Sequence, residues 1–336
     1  MNIQQIKKKI DSKEYDFLRN DIHLGNNIIL LTLGGSYAYG LENENSDLDI
    51  RGIAIENKNE IIGLKNFEQF INEETDTTIY GLRKLISLIL NCNPNTIEML
   101  GTKPEHLFIC NKYGKILRDN IDLFLSKKAI GSFGGYANQQ LRRLENALCR
   151  NNYSQSRKEE HMLNTIKIEL DNIEGRYKEL TRGNLNLYID KSEKESYDTE
   201  IFMDCNLEHY PLRDFKNIYS EMKNVINGYE KLNHRNSKKD EYHLNKHASH
   251  LMRLLLMGSE LLKGEGVNTY RENDRQLLLD IKNGKYTYEE IFTMVDKYEK
   301  EFKYASDNTC LPSKPNYKRV EELLMNIYEE VISNDR

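Results

Sequence analysis

The spacing of apolar and polar positions divides the chain into two halves of different character. Through the first 120 residues the apolar positions come in short groups. Residues 2–24 put Ile3, Ile6, Ile10, Phe17 and Leu18 on one side of an amphipathic helix. Residues 27–33 form an Ile- and Leu-rich run too short for a helix, which predicts a buried strand. Residues 47–51 alternate, with Asp47, Asp49 and Arg51 on one face and Leu48 and Ile50 on the other; 53–55 extend that strand. A turn at 57–59 and strands over 67–71 and 75–80 follow. The stripe Leu82, Leu85, Ile86, Ile89 then predicts a helix over 82–90, ending before Asn93-Pro94.

From about residue 121 the strand signals fade and helical stripes take over. Residues 136–150 carry Ala137, Leu141, Leu144 and Leu148 on one face. A further helix is expected over 161–180. The stretch 185–208 has weak periodicity and reads as a loop or short element, and 234–242 reads as a charged linker. Residues 244–262 form a helix that is apolar over much of its girth. The last two helices, 288–304 and 317–332, are separated by Pro312 and Pro315. The fold class expected is α+β: an α/β domain over 1–120 with a small, mixed or mostly parallel sheet, then an all-helical domain over 121–336 that closes a cleft.

Composition narrows the setting. With 336 residues, 38% hydrophobic and 30% charged, the chain can bury a sizeable core. Its longest apolar runs fall far short of the roughly 20 residues a membrane span needs, and residues 1–11 lack the apolar core of a secretory signal. Five cysteines, an odd number and widely spaced, argue against a disulfide framework or a cysteine zinc site. A cytoplasmic protein without a membrane partner is therefore expected. The net charge of −5 excludes a globally basic nucleic-acid coat, so any nucleic-acid contact must be a local basic patch.

The richest chemistry lies in residues 33–52, LGGSYAYGLENENSDLDIRG. Gly34-Gly35 ends the first strand and lets backbone approach a ligand. Ser36 opens a short helix whose N–H groups favour an anion. Asp47 and Asp49, about 7 Å apart at roughly 3.3 Å per residue, suit shared coordination of a hard divalent cation, which takes one or two carboxylates and substrate phosphates. A phosphate cradle and a paired-carboxylate metal site call for one ligand, a nucleoside triphosphate with Mg²⁺ or Mn²⁺.

Gly35-Ser36 followed by Asp47-x-Asp49 resembles the signature of the DNA polymerase β nucleotidyltransferase superfamily. The longer string from Gly34 to Gly52 is similar to one branch, the RNA-repair-pathway (RlaP-like) polymerase β family. ETDTTIYGLRKLISLILNCNPNTIEML at 74–100, GGYANQQLRRL at 134–144, NKHASHLMRLL at 245–255 and LPSKPNYKRVEELL at 311–324 add to it. The resemblance implies a polymerase-β-like nucleotidyltransferase α/β domain. It also implies a third carboxylate on a strand that leads into a helix. Asp76 fits, with Glu74 as the alternative. The implied reaction is two-metal transfer of a nucleoside monophosphate from an NTP, with ATP the expected donor, to an RNA or tRNA 3′ end. AMP transfer to a protein or small molecule, and a catalytically quiet nucleotide- or RNA-binding module, stay open, as does the oligomeric state.

Two further constellations accompany this motif. On the 244–262 helix, Lys246, His250 and Arg253 form a narrow cationic stripe on an otherwise apolar surface. A buried stripe of this kind needs a partner: triphosphate oxygens, an internal acid such as Glu260 or Asp274, or a metal held by His243, His247 and His250. On the 136–150 helix, Tyr136, Gln139, Arg143 and Arg150 face away from the apolar stripe, with Lys127, Lys128 and Phe133 near in sequence. This face reads either as an RNA-acceptor surface or as ordinary solvated helix.

Overall fold

Six consecutive buried residues, Ile28–Leu33, make the strand around which the sheet of this protein is built. The computed structural model describes residues 1–44, 46–152, 171, 173–177, 179–180, 183–191, 199–234 and 240–334. In chain order these form α1 (Ile3–Ile10), α2 (Phe17–Asn20), β1 (Ile28–Leu33), α3 (Gly35–Tyr39), β2 (Ile50–Ala54), α4 (Lys58–Ile61), β3 (Gln69–Asn72) and β4 (Thr77–Gly81). There follow α5 (Leu82–Ile89), α6 (Pro94–Leu100), β5 (Leu107–Cys110), α7 (Lys112–Asp119), α8 (Lys128–Asn152), β6 (Glu179–Leu180), β7 (Gly183–Lys191) and β8 (Thr199–Leu207). The last elements are α9 (Leu212–His234), α10 (Glu241–Lys263), α11 (Arg275–Lys282), α12 (Tyr288–Asn308) and α13 (Tyr317–Asn334).

The chain divides into two units, Met1–Leu141 with Glu241–Arg336, and Arg142–Asp240. The boundary expected at 120/121 does not coincide with this division, since 121–141 and 241–336 fall in the unit that holds β1. In that unit the strands run β3-β4-β2-β1-β5. The sheet is mixed, but not mostly parallel: β2 and β4 are its parallel pair, and the other three pairings are antiparallel. Both faces are covered, which is why β1 is buried along its whole length and apolar at every position but Thr32. Ile29 and Leu30 join Leu82, Leu85, Ile86 and Leu117 in one core, and Leu31 and Leu33 join Ile6, Leu18, Tyr37 and Ile50 in the other.

The single helix expected over 2–24 is interrupted. Asn2 caps α1 through a capping box with Gln5, and a 3₁₀ turn at Lys13–Tyr15 then buries Tyr15. The Arg19 guanidinium satisfies carbonyls left open at the break, donating to Ile10 O at 3.1 Å and Ser12 O at 2.8 Å. The helices expected over 82–90, 136–150, 244–262, 288–304 and 317–332 correspond to α5, α8, α10, α12 and α13.

The second unit corrects the expectation of an all-helical second half. β6, β7 and β8 form an antiparallel sheet, pairing Leu185 with Cys205 and Leu187 with Met203. Leu185 and Leu187 are buried with Ile173 and Ile218, while Asn184, Asn186 and Tyr188 are exposed. The period-two pattern exists, but two of its outer positions, Asn184 and Asn186, are asparagines, which are depleted in strands, so the stretch reads as a loop. Most of the helix expected over 161–180, and 235–239 of the expected linker, lie outside the described residues. No helix among the described residues is long and apolar enough to cross a membrane.

In the first unit α13 is fastened to the sheet by a buried acid. Glu56, just past β2 and 1% exposed, accepts from the Tyr328 hydroxyl at 2.6 Å and from Arg83 N at 2.9 Å. Replacing Tyr328 by Phe leaves one carboxylate oxygen in the core without its donor. It is expected to cost about 1–3 kcal/mol in denaturant unfolding, with little change in far-UV circular dichroism.

Candidate active site

The turn after β1 and the residues ahead of β2 form one unit of structure. Gly34 N donates to Asp49 O at 2.8 Å, which carries the β1/β2 ladder one step beyond both strands. Gly35 has φ +52 and Gly40, at the end of α3, has φ +74. A Cβ on Gly35 would lie 1.8 Å from Asp49 Oδ2, and one on Gly34 would lie 2.8 Å from Arg51 Cγ. The glycine pair thus provides the floor on which the Asp49 and Arg51 side chains lie.

The parallel pairing of β2 with β4 supplies the second acid. Ile50 is opposite Thr77, and Ile50 N donates to Asp76 O at 3.1 Å. The residues just ahead of the two strands, Asp49 and Asp76, therefore come side by side. Asp76 takes a left-handed backbone at φ +43, an uncommon conformation that aspartate tolerates better than most residues. One Arg51 nitrogen holds both carboxylates, at 3.2 Å from Asp49 Oδ1 and 3.0 Å from Asp76 Oδ1, while the other donates to Asp76 O at 2.5 Å.

The two acids titrate in opposite directions. Burial, then hydrogen bonding to Asp76, pushes the Asp49 carboxyl up to about 7, against the pull of Arg51 and Lys246. Burial also acts to raise Asp76. Its hydrogen bonds to Asp49 and Arg51 outweigh that and hold it below the usual carboxylate range. The pair therefore holds a proton to higher pH than a lone carboxylate would, and Asp49 is the member that is raised.

Asp47 is exposed in the coil ahead of β2, and Glu74 is exposed in the turn between β3 and β4. Of the four acids singled out by the sequence, the fold brings Asp49 and Asp76 together. Among the described residues no three His, Cys, Asp or Glu side chains are gathered closely enough to hold a metal ion by themselves. The hard oxygen donors of Asp49 and Asp76 nonetheless fit Mg²⁺ or Mn²⁺, which would complete its shell with phosphate and water.

Two cavities meet at Asp49. One, of about 310 Å³, is lined by Gly35, Ser36, Asp49, Gln140, Lys246, His247, His250, Arg253 and Lys282, among others. The other, of about 240 Å³, is lined by Arg51, Thr78, Tyr80 and Glu98 and shares Gly35, Tyr39 and Asp49 with the first.

The cationic stripe of α10 is not uniform. Lys246 is exposed in the first cavity, whereas Arg253 is 1% exposed and committed elsewhere. Its guanidinium pairs with Glu98 at 2.5 Å and lies 3.7 Å over the Tyr39 ring, and Tyr39 itself donates to Glu98 at 2.5 Å. The stripe does have an internal acid as partner, but it is Glu98 rather than Glu260 or Asp274, which both pair with Arg271. His250 Nδ1 lies 3.0 Å from an Arg253 nitrogen; arginine only donates, so the ring proton is on Nε2. His247 Nδ1 lies 3.2 Å from Gln140 Oε1. The histidines thus turn to different partners, and His243, His247 and His250 do not converge as a metal site.

On α8, Tyr136 is half-buried with its hydroxyl 3.3 Å from Asn93 Nδ2, and Gln139 and Arg143 are exposed. The Arg150 side chain lies outside the described residues. Lys128 is held by Asn91 and the Tyr317 hydroxyl. Among the cavity residues the sequence reading missed are Tyr39, Glu98, Gln140 and Lys282. Lys282 had a visible signal, since it follows Leu278 by one helical turn on the buried side of α11.

Residues 4–196 match the family model described as the RNA repair pathway DNA polymerase beta family (RlaP). The match spans the glycine turn and all four acids; α10 and α11 lie beyond it. No curated protein and no solved structure matches the chain.

The raised Asp49 carboxyl has a consequence for stability. Its stabilising contribution is complete at low pH, where the group is protonated in both folded and unfolded chains, and is lost as pH rises through about 7. Asp49→Asn removes that loss. The variant is expected to melt several degrees above the wild type at pH 8, with the gap closing toward pH 5 in thermal scans. One pKa unit corresponds to about 1.4 kcal/mol, and about 1 kcal/mol moves Tm by roughly 2–4 °C in a chain of this size.

Proposed function

The chain belongs to the RNA repair pathway DNA polymerase beta family, and on that footing we propose that it is a metal-dependent nucleotidyltransferase. It moves a nucleoside monophosphate from an NTP, with ATP the favoured donor, to the 3′ hydroxyl of an RNA such as a tRNA. The observation that carries this reading is that Asp49, joined to Asp76 through Arg51, lies on the Gly34-Gly35 turn at a cavity that also holds Lys246 and His250.

In this reading Gly35 and Ser36 receive the β- and γ-phosphates of the nucleotide, with Lys246 and His250 facing them from α10. Asp49 and Asp76 would hold a divalent cation together with the triphosphate, with Asp47 joining from the coil ahead of β2 once the cation is bound, and the ion would supply charge neutralisation at the attacking and leaving oxygens. Asp76, already the ionised member of its pair, accepts the proton of the attacking hydroxyl. Arg51 neutralises Asp49 and Asp76 when the site is empty, and can reach the α-phosphate when it is filled. Arg253 acts from behind the site, holding Tyr39 and through it α3. The exposed Gln139 and Arg143, with Tyr136 and Arg150, are the residues of α8 assigned to the RNA acceptor.

The test is release of pyrophosphate from each NTP, with Mg²⁺ or Mn²⁺, alone and with tRNA. Release is expected to need both metal and RNA. Asp76→Asn is expected to lower turnover about 10²–10⁴-fold, the usual range for a positioned base, and to leave nucleotide affinity near wild type. Undiminished turnover in Asp49→Asn would sink the proposal. Turnover with a protein acceptor but not with RNA would leave the donor site standing and replace the acceptor.

A further inference from the structure

The C-terminal end of the glycine turn is held from the segment 271–282. Arg271 N donates to Tyr39 O at 3.1 Å, Arg275 Nε to Gly40 O at 2.6 Å and Lys282 Nζ to Leu41 O at 2.6 Å. The buried guanidinium of this group has its counter-ions, since Arg271 pairs with Glu260 and Asp274. Lys282 is different. It is 3% exposed, yet no carboxylate among the described residues forms an ion pair with it. The carbonyl of Leu41 is one acceptor for an ammonium that has three donors. Burial and the neighbouring charge of Lys246 hold its ammonium below the usual lysine range, and Glu42 offsets this only from a distance.

Lys282 nevertheless opens onto the first cavity, with Lys246, Gly35, Ser36 and Asp49. Two lysines brought together at one cavity, one of them desolvated, repel each other until an anion enters. An anion with several adjacent charged oxygens answers both at once and leaves the glycine turn free to take part.

We propose that Lys282 is a buried binding residue for the triphosphate of the nucleotide, acting with Lys246 at the shared cavity. This rests on the nucleotidyltransferase reading and adds to it a residue from outside the part of the chain that matches the family. Because the same ammonium grips Leu41 O, it also ties phosphate binding to the position of the glycine turn.

The experiment is calorimetric titration of the full chain with ATP and with inorganic tripolyphosphate, each with Mg²⁺, and separately with a short RNA oligonucleotide. Lys282→Gln keeps a donor for Leu41 O but removes the charge, and Lys282→Arg keeps the charge. Lys285→Gln, at an exposed lysine paired with Asp280, is the control. Lys282→Gln is expected to lose tenfold or more in affinity for both ligands while its unliganded melting temperature holds or rises. Lys282→Arg should recover most of the loss, and Lys285→Gln should bind as wild type. Wild-type affinity for both ligands in Lys282→Gln would reduce Lys282 to a structural tie and overturn the proposal while the transfer reaction stands. A loss confined to a short RNA oligonucleotide would overturn it in favour of the acceptor's phosphates. A wild-type chain that binds neither ATP nor tripolyphosphate would overturn the nucleotidyltransferase reading along with it.

Discussion

The contact of the Asp49 carboxylate with the Gly35 backbone is the constraint on which the site depends. There is no room for a β-carbon at Gly35 or Gly34 while Asp49 and Arg51 keep their places. That closeness follows from continuing the β1/β2 ladder through Gly34 and Asp49. A turn suited to phosphate and a carboxylate suited to a metal are therefore not neighbours by chance. The same backbone hydrogen bonds position both.

The second acid comes from a different source of order. Asp76 is 27 residues from Asp49, and the parallel β2/β4 register brings the two together. Their carboxylates repel, and the fold meets that cost in two ways. Arg51 bridges them, and Asp49 keeps a proton to about pH 7. Both devices lower the cost of holding two acids side by side.

Buried cations organise the opposite wall. Arg253 is neutralised by Glu98 and stacked on Tyr39, and Arg271 is neutralised by Glu260 and Asp274. These pairs hold α3 and α10 in a fixed relation, because parting either pair would leave a charge stranded in the core. Among the described residues no carboxylate forms an ion pair with Lys246 or Lys282, and both open on the cavity. Cations of one helical region thus divide by their counter-ions: those paired with buried acids support the site, and the other two line the cavity.

Local pattern alone determined much of this protein. The apolar run of β1, the glycine turn, the polar face carrying Asp49 and Arg51, and the stripes of α5, α8, α10, α12 and α13 were all legible, because each rests on period and turn chemistry within about twenty residues. The hairpin β7–β8 was not, because asparagines stand where strand-forming residues would mark the pattern. Tertiary structure decided which acid joins Asp49, since Asp76 and Glu74 are equivalent by spacing and only the β2/β4 register separates them. It likewise decided that Arg253 faces Glu98, 155 positions away, and that Lys282 opens on the cavity. A sequence shows which face of a helix a charge occupies, but the counter-ion that sets its role comes from another element, and only packing brings the two together.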